Sequence, residues 1–306
     1  MHMSAAVVPS PKRLRLGVSS GLAWFALLLS IATPCSSAQT FSSSTSSGIP
    51  IQDKLNFDLY RGYLIVTHGA IGDIRNAMFL IDTGTDPSVI DKRLAERMHS
   101  KLELTGLDTI HTKVPTWRTT VASVLLGPVA TQNSTVLVED LSFLERDMGI
   151  RIDALIGLDV LQSTSFLVDY RSHHIRFGAR VRSGSGVRFI HNPPFATVAM
   201  TLEGRPVQLL LDTGASSLML FRTHWPTSPK PRVVKHSINL AGDLARQLLE
   251  LKSAALGDLQ LGRQTAYLVD DEKDARRDFD GLINPGLLGL RQIFFDFENK
   301  RLAWDR

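Results

Sequence analysis

The chain reads as an all-β protein of two similar lobes, and three observations predict this. First, Asp-Thr-Gly occurs twice, at Asp82-Thr83-Gly84 and Asp212-Thr213-Gly214, each time behind a run of apolar residues. Average composition produces that tripeptide by chance about once in a few thousand positions, so two copies with the same apolar lead mark an internal duplication. Second, the following residues keep step. Asp82 to Asp153 spans 71 residues and Asp212 to Asp280 spans 68, while Asp153 to Asp169 and Asp280 to Asp296 both span 16. Third, the intervening segments are short, rich in β-branched and aromatic residues, and bounded by Gly, Pro, Asn or Asp, the pattern of strands joined by tight turns. With 306 residues and 43% hydrophobic content, the chain can fill two domain cores.

The N-terminus stands apart from this repeat. Lys12, Arg13 and Arg15 form a basic region with no acidic neighbour, Gly21–Ala32 is apolar, and Ser36-Ser37-Ala38 offers small residues for cleavage after Ala38. Residues 1–38 therefore have the layout of a secretory signal peptide. An exported protein, periplasmic or secreted, is expected; an uncleaved N-terminal membrane anchor is the alternative, although the apolar stretch is short for a full span. Cys35, the only cysteine, follows Pro34 where a lipoprotein signal would want a small residue. Cleavage would remove it, leaving neither disulfide nor thiol chemistry. Three of the 34 basic residues lie in the leader, which leaves 31 against 30 acidic ones. That near-neutral balance gives no reason to expect a nucleic-acid or anionic-membrane partner. Residues 39–53, including the Ser-rich Thr40–Gly48, read as a disordered tether and are too short to suggest a pro-segment.

An N-terminal lobe is expected over 54–180. Tyr63–Thr67 and Ala77–Asp82 read as strands around a turn, and Ser88–Met98 as a short amphipathic helix with Ile90, Leu94 and Met98 at four-residue spacing. Alternating β-type residues run from Lys101 to Gly127, Thr135–Glu139 is a further strand, and Phe166–Tyr170 with His174–Phe177 reads as a hairpin. The basic, Gly/Ser-rich stretch at 181–187 reads as a linker. A C-terminal lobe over 188–306 then restarts the order with Ala196–Leu202 and Pro206–Leu211 before the second Asp-Thr-Gly, and closes with Asp280–Ile283, Phe294–Phe297 and Arg301–Trp304.

A carboxylate at the end of an apolar strand is costly unless something uses it. Placed on a tight turn, it can be aimed out of a sheet, and glycine allows close backbone approach there. If the two halves face each other, Asp82 and Asp212 meet across the seam. Two touching carboxylates cannot both ionise easily, so one keeps a proton, and the pair titrates as a unit. One can take a proton from water while the other gives one to a carbonyl oxygen, which is general acid–base hydrolysis without metal or cofactor.

On these residues the chain resembles an aspartic peptidase. It is similar to two fused copies of a retropepsin-like unit in the bilobal, pepsin-like order, as in the exported bacterial aspartyl protease group. The resemblance covers roughly Leu55–Arg306 and is strongest at the two Asp-Thr-Gly turns, then at Leu155-Ile156-Gly157. It implies two acid-protease β-barrel lobes with an interlobe cleft and few short helices, a monomer, and a peptide or protein substrate bound in extended form. By the family pattern Asp82 and Asp212 are the catalytic pair, Thr83 and Thr213 tie the turns together, and Gly84 and Gly214 shape them. The pattern also implies a hairpin flap. The candidate is about Asp108–Val121, with Trp117 its only aromatic and no tyrosine of the pepsin type.

Two departures stand out. Asn284 occupies the position that the spacing equates with Gly157; the alternative glycine is Gly289, after Leu288. Asn284 is the preferred register, since asparagine tolerates unusual backbone angles. The residue after each turn also differs, Thr85 in one lobe and Ala215 in the other. Only Thr85 could give its aspartate an extra hydroxyl hydrogen bond, so Asp82 is expected to be the ionised partner. The rival expectation is a peptide-binding or regulatory module that keeps the fold without turnover.

Other residues have plainer readings. Asp86 and Asp91 suit solvated or capping roles, with a substrate pocket as the alternative for Asp86. Asp153 and Asp280, at matching places, suit structural turns. The nine histidines form no pair spaced for zinc, and no nucleophile elbow or phosphate loop is present. Asp270–Asp280 is a charge run that suits a solvated loop.

Overall fold

The structure, a computed structural model, describes residues 54–109, 113–180, 184–192, 195–225, 234–239, 242–270 and 278–305. The expected leader, its expected cleavage site and the Ser-rich stretch read as a tether lie outside the described residues.

The first half runs β1 (Lys54–Asn56), β2 (Asp58–Tyr60), β3 (Leu64–Ile71), β4 (Ile74–Ile81), β5 (Val89–Asp91), α1 (Lys92–Arg97), β6 (Glu103–Asp108) and β7 (Lys113–Leu126). It continues with β8 (Val129–Glu139), α2 (Ser142–Met148), β9 (Ala154–Ile156), α3 (Leu158–Leu161), β10 (Phe166–Asp169) and β11 (His174–Phe177). The second half runs β12 (Ser185–Asn192), β13 (Phe195–Leu202), β14 (Arg205–Leu211), β15 (Leu218–Phe221), β16 (Val234–Asn239) and β17 (Gly242–Leu251). After these come β18 (Ala254–Leu256), β19 (Leu259–Gln260), β20 (Gln264–Val269), β21 (Gly281–Ile283), a 3-10 turn at Pro285–Leu288, β22 (Gln292–Asp296) and β23 (Arg301–Asp305). The chain is all-β with few short helices.

Strand order exposes the duplication more directly than spacing does. One lobe pairs β2-β3-β4-β9-β5-β8-β7-β6, and the other pairs β12-β13-β14-β21-β15-β20-β17-β16. The two orders match strand for strand. In each, the strand before the Asp-Thr-Gly lies parallel to the short strand that ends beside it: Ile81 pairs with Ile156, and Leu211 with Ile283. Both faces of β4 and β14 are covered, so Phe79-Leu80-Ile81 and Leu209-Leu210-Leu211 are buried throughout. A doubly covered strand reads as an unbroken apolar run, which is how both motifs look in the sequence.

A third sheet joins the lobes in the order β1-β11-β10-β22-β23-β12. At its centre Leu167 pairs with Phe294, flanked by Phe166 with Phe295 and Val168 with Ile293. Leu167 and Phe294 are equivalent residues of the two halves, so a local two-fold axis passes between them. Polar links follow the same axis: Gln292 Nε2 donates to Asp169 Oδ2 at 2.7 Å, and Ser165 Oγ donates to Asp296 Oδ1 at 3.3 Å.

Two sequence expectations change. Only the second part of Ser88–Met98 is helical, because Val89 and Ile90 are fully buried and pair with both β8 and β9. Asp91 then caps α1 by accepting from the Arg93 amide at 3.0 Å. The expected linker at 181–187 is a strand from Ser185 onward, since Ser185, Gly186 and Val187 pair with Trp304, Ala303 and Leu302. Partners more than a hundred residues away decide this, and no local composition reports them.

Candidate active site

The two Asp-Thr-Gly turns meet at the seam. Each aspartate leaves its strand held by the short strand alongside: the Asp82 amide donates to Ile156 O and the Asp212 amide to Ile283 O, both at 3.0 Å. Each turn closes three residues later, Thr85 N–H on Asp82 O at 3.3 Å and Ala215 N–H on Asp212 O at 3.2 Å.

The threonines cross between lobes in a reciprocal pattern. Thr83 Oγ1 donates to Leu211 O at 2.8 Å and accepts from the Thr213 amide at 3.1 Å. Thr213 Oγ1 donates to Ile81 O at 2.8 Å and accepts from the Thr83 amide at 3.0 Å. Each hydroxyl thus satisfies one buried donor and one buried acceptor of the opposite lobe. A buried polar group left unpaired costs about 1–3 kcal/mol, so this arrangement fixes the relative position of the turns.

The glycines set how closely the carboxylates approach. A methyl group on Gly84 would lie 2.4 Å from Asp212 Cγ, and one on Gly214 would lie 2.6 Å from Asp82 Cγ. Each carboxylate therefore rests on the backbone of the opposite turn, where only glycine leaves room.

Both carboxyls are buried, yet their surroundings differ. Asp82 accepts from the Gly84 amide at 2.9 Å and from Thr85 Oγ1 at 2.8 Å. Asp212 Oδ1 accepts from the Gly214 and Ala215 amides, both at 2.9 Å, while its Oδ2 accepts from no group among the described residues. Burial raises both carboxyls above the usual range, but hydrogen bonds from Thr85 and Gly84 oppose the rise at Asp82. Asp212 is pushed well up by burial and then by the charge of Asp82. This difference in surroundings favours the proton of the pair on Asp212 and the charge on Asp82.

The ground beneath the turns differs too. In the first lobe the Leu158 amide donates to Thr85 O at 2.8 Å, and a methyl group on Gly157 would lie 2.4 Å from that oxygen. The Gly157 amide donates to Ser88 Oγ at 2.9 Å, which in turn donates to Asp159 Oδ1 at 2.7 Å. In the second lobe the pairing of Leu211 with Ile283 puts Asn284, not Gly289, in the place of Gly157. The next residue is Pro285, which has no amide hydrogen for the equivalent carbonyl. Asn284 supplies it: Nδ2 donates to Ala215 O at 2.6 Å and Thr213 O at 2.8 Å, while Oδ1 accepts from the Gly286 amide at 2.8 Å. The apparent defect at Asn284 is a replacement for the backbone donor lost at Pro285.

Other expected positions fall out as follows. The hairpin expected as a flap forms from β6 and β7, with residues 110–112 at its tip outside the described residues. Trp117 is a correction to the flap assignment. It pairs with Val138, on the sheet face opposite Asp82, and stands 46% exposed beside Leu104 at 66%. Strand alternation gives the inward position to Thr116 instead. Asp153 and Asp280 serve the fold: their carboxylates accept from the equivalent amides of Met78 (2.9 Å) and Gln208 (2.7 Å). Asp91 is buried and also accepts from the Leu141 amide at 2.9 Å. Asp86 is half-buried rather than solvated, and burial, then the charge of Asp159, pushes its carboxyl up to about 7. Most of the Asp270–Asp280 charge run lies outside the described residues; Asp270 pairs with Arg222.

Sequence reasoning missed the Ser88–Asp159 support and the second-lobe hairpin of β16 and β17. A signal for the hairpin existed. Adding the 130-residue offset between Asp82 and Asp212 to β6 and β7 lands on 233–256, which contains it.

No curated protein matches the chain. Residues 67–160, which carry the first Asp-Thr-Gly turn and the Gly157 segment beneath it, match the aspartyl protease family model, so this part of the chain is similar to an aspartic protease.

Proposed function

We propose that the protein is an aspartic endopeptidase whose catalytic pair is Asp82 and Asp212. The observation that carries this is the buried carboxylate pair in unequal surroundings, locked by the reciprocal threonine bonds. A water held between the two would lose a proton to ionised Asp82 as its oxygen attacks the peptide carbonyl carbon. Asp212 would give its proton to the carbonyl oxygen, forming a neutral tetrahedral diol. Return of a proton from the diol to Asp212 and delivery of one from Asp82 to the amide nitrogen breaks the C–N bond and restores the starting state. No cofactor or metal enters. Both turns come from one chain, so a monomer suffices, and the leader directs it out of the cytoplasm.

The support from the turn surroundings favours turnover over a binding module, since Asn284 compensates for Pro285 rather than disabling the second lobe. The deciding experiment is cleavage of a peptide library from acid to neutral pH, wild type against Asp212→Asn, with and without pepstatin. Cleavage that disappears in the variant is expected. Cleavage surviving Asp212→Asn overturns the mechanism, and no cleavage by wild type favours the binding module. Sequencing the N-terminus of the exported protein tests processing after Ala38.

A further inference from the structure

The sheet faces that carry Asp82 and Asp212, which would wall the cleft of the proposed peptidase, can be followed residue by residue, because side chains alternate along strands and paired residues share a face. In the first lobe, Leu80 lies two residues before Asp82 and shares its face. Leu80 pairs with Leu155, Leu155 with Val89, Val89 with Leu137, and Leu137 with Arg118. Leu80, Val89, Leu137 and Leu155 belong to one buried apolar cluster, which Phe143 and Leu144 of α2 help close.

The same walk in the second lobe runs from Asp212 to Leu210, Leu282, Met219, Tyr267 and Leu248. Two residues before Leu248 on β17, and so on the same face, stands Arg246. It is 1% exposed, and its Cζ lies 4.5 Å from the centroid of the Tyr267 ring. The 130-residue offset makes its counterpart Thr116, itself 2% exposed. One wall thus carries aliphatic side chains, a threonine and Arg118, whose guanidinium lies 3.2 Å from Glu103, while the other carries a guanidinium over a tyrosine ring.

A buried cation is expensive and has no counterpart in the sister lobe, so the fold itself does not require one at this position. Burial lowers the affinity of Arg246 for its proton, to about 10, which still leaves it charged at neutral and acid pH. A guanidinium offers five N–H donors in a planar fork, enough to bind a carboxylate alongside bonds made within the chain. The neighbouring ring stabilises the cation and shields it from water.

We infer that Arg246 is a specificity-determining residue, giving the second-lobe wall of the cleft a preference for a substrate carboxylate, that of an aspartate or glutamate side chain. The inference rests on the peptidase reading and adds to it the charge class of the substrate. On the first-lobe wall the Arg118 guanidinium already faces the Glu103 carboxylate, so selection for an acid is expected on one side of the scissile bond.

The test is a panel of C-terminally amidated peptides that differ by Glu, Gln, Ala or Lys at each position around one cleavage site. A matching peptide with a free C-terminus and no acidic side chain separates a side-chain carboxylate from a terminal one. Wild type is expected to favour Glu over Gln by about tenfold or more in kcat/KM at one position, as for a desolvated charge pair. Arg246→Met should bring that ratio to near one, and Arg246→Lys should keep part of it, with preferences on the other side of the bond retained. Should Arg246→Met not fold, Arg246→Lys carries the comparison, because a point charge lacks the bidentate fork. A Glu/Gln ratio within twofold at every position in wild type, a ratio undiminished in folded variants, or a response to the free C-terminus alone overturns the inference. Absence of all cleavage is a failure of the peptidase reading instead. The same panel read by fluorescence anisotropy on the Asp212→Asn protein then makes the identical Glu against Gln comparison by binding.

Discussion

Asn284 offers the sharpest test of how the second turn is built. Asn284→Gly would restore the residue type of the first lobe, yet it should destabilise the protein. The side chain makes three hydrogen bonds, to Thr213 O, Ala215 O and the Gly286 amide, and it is fully buried. Leaving buried groups unpaired costs about 1–3 kcal/mol each, so even partial relaxation leaves a loss of about 3 kcal/mol. The extra freedom of glycine in the unfolded chain adds about 0.5–1 kcal/mol. Asn284→Gly combined with Pro285→Leu should recover about 1 kcal/mol, because the backbone amide that the second substitution restores could reach Ala215 O as the Leu158 amide reaches Thr85 O. Pro285→Leu alone should gain nothing, since Asn284 already serves that carbonyl. Equilibrium urea unfolding of the four proteins, followed by tryptophan fluorescence, gives the double-mutant cycle. A loss under about 1 kcal/mol for Asn284→Gly, or no recovery in the double variant, would refute the compensation.

Three further predictions concern the turn itself. Thr85→Val removes the hydroxyl that donates to Asp82 at 2.8 Å. Losing a hydrogen bond to a charged group costs about 1.5–3 kcal/mol, so the acidic limb of the pH–rate profile should rise by about one unit or more; an unmoved limb counts against Asp82 as the ionised partner. Gly84→Ala places a methyl group against Asp212 and should cut kcat/KM by about a hundredfold or more through misplacement of the carboxylate. Retention of a tenth of the activity would contradict the close approach. Asp86→Asn addresses a carboxyl raised from 3.8 to about 7. Because the folded-state pKa lies above the unfolded one, Asp86 costs stability progressively as pH rises from about 4 to 7. The asparagine variant should gain on wild type across that window, by on the order of 2 kcal/mol once partial exposure is discounted, and the gain should level off above pH 7. A pH-independent difference in Tm between pH 4 and 8 would exclude this account.

Much of the site was legible in the sequence because its parts are local. Asp82-Thr83-Gly84 and Asp212-Thr213-Gly214 are contiguous, and the matched spacings to Asp153, Asp280, Asp169 and Asp296 follow from the repeated strand order. Features that depend on distant partners were not legible. Ser185–Val187 looks like a linker by composition and is a strand because of Leu302–Trp304. Trp117 looks like a flap aromatic, and the pairing with Val138 turns it to the other face. Asn284 looked like an erosion of the pattern, and its meaning depends on reading it together with Pro285. Arg246 gave no local signal at all, since its place on the Asp212 face emerges only through four successive strand pairings.

The two-fold axis between Leu167 and Phe294 has a consequence for the proton. An assembly of two identical chains about such an axis must make every change twice, so its paired acids start out equal and substrate must break the tie. Here the tie is broken in the covalent sequence, by Thr85 opposite Ala215 and by Gly157-Leu158 opposite Asn284-Pro285. In the proposed mechanism, a water entering the seam would meet one acceptor and one donor whose roles were assigned before any peptide arrived. Covalent fusion of the halves lets each differ from its twin, and it would make the polarity of the proposed reaction an inherited property of the chain.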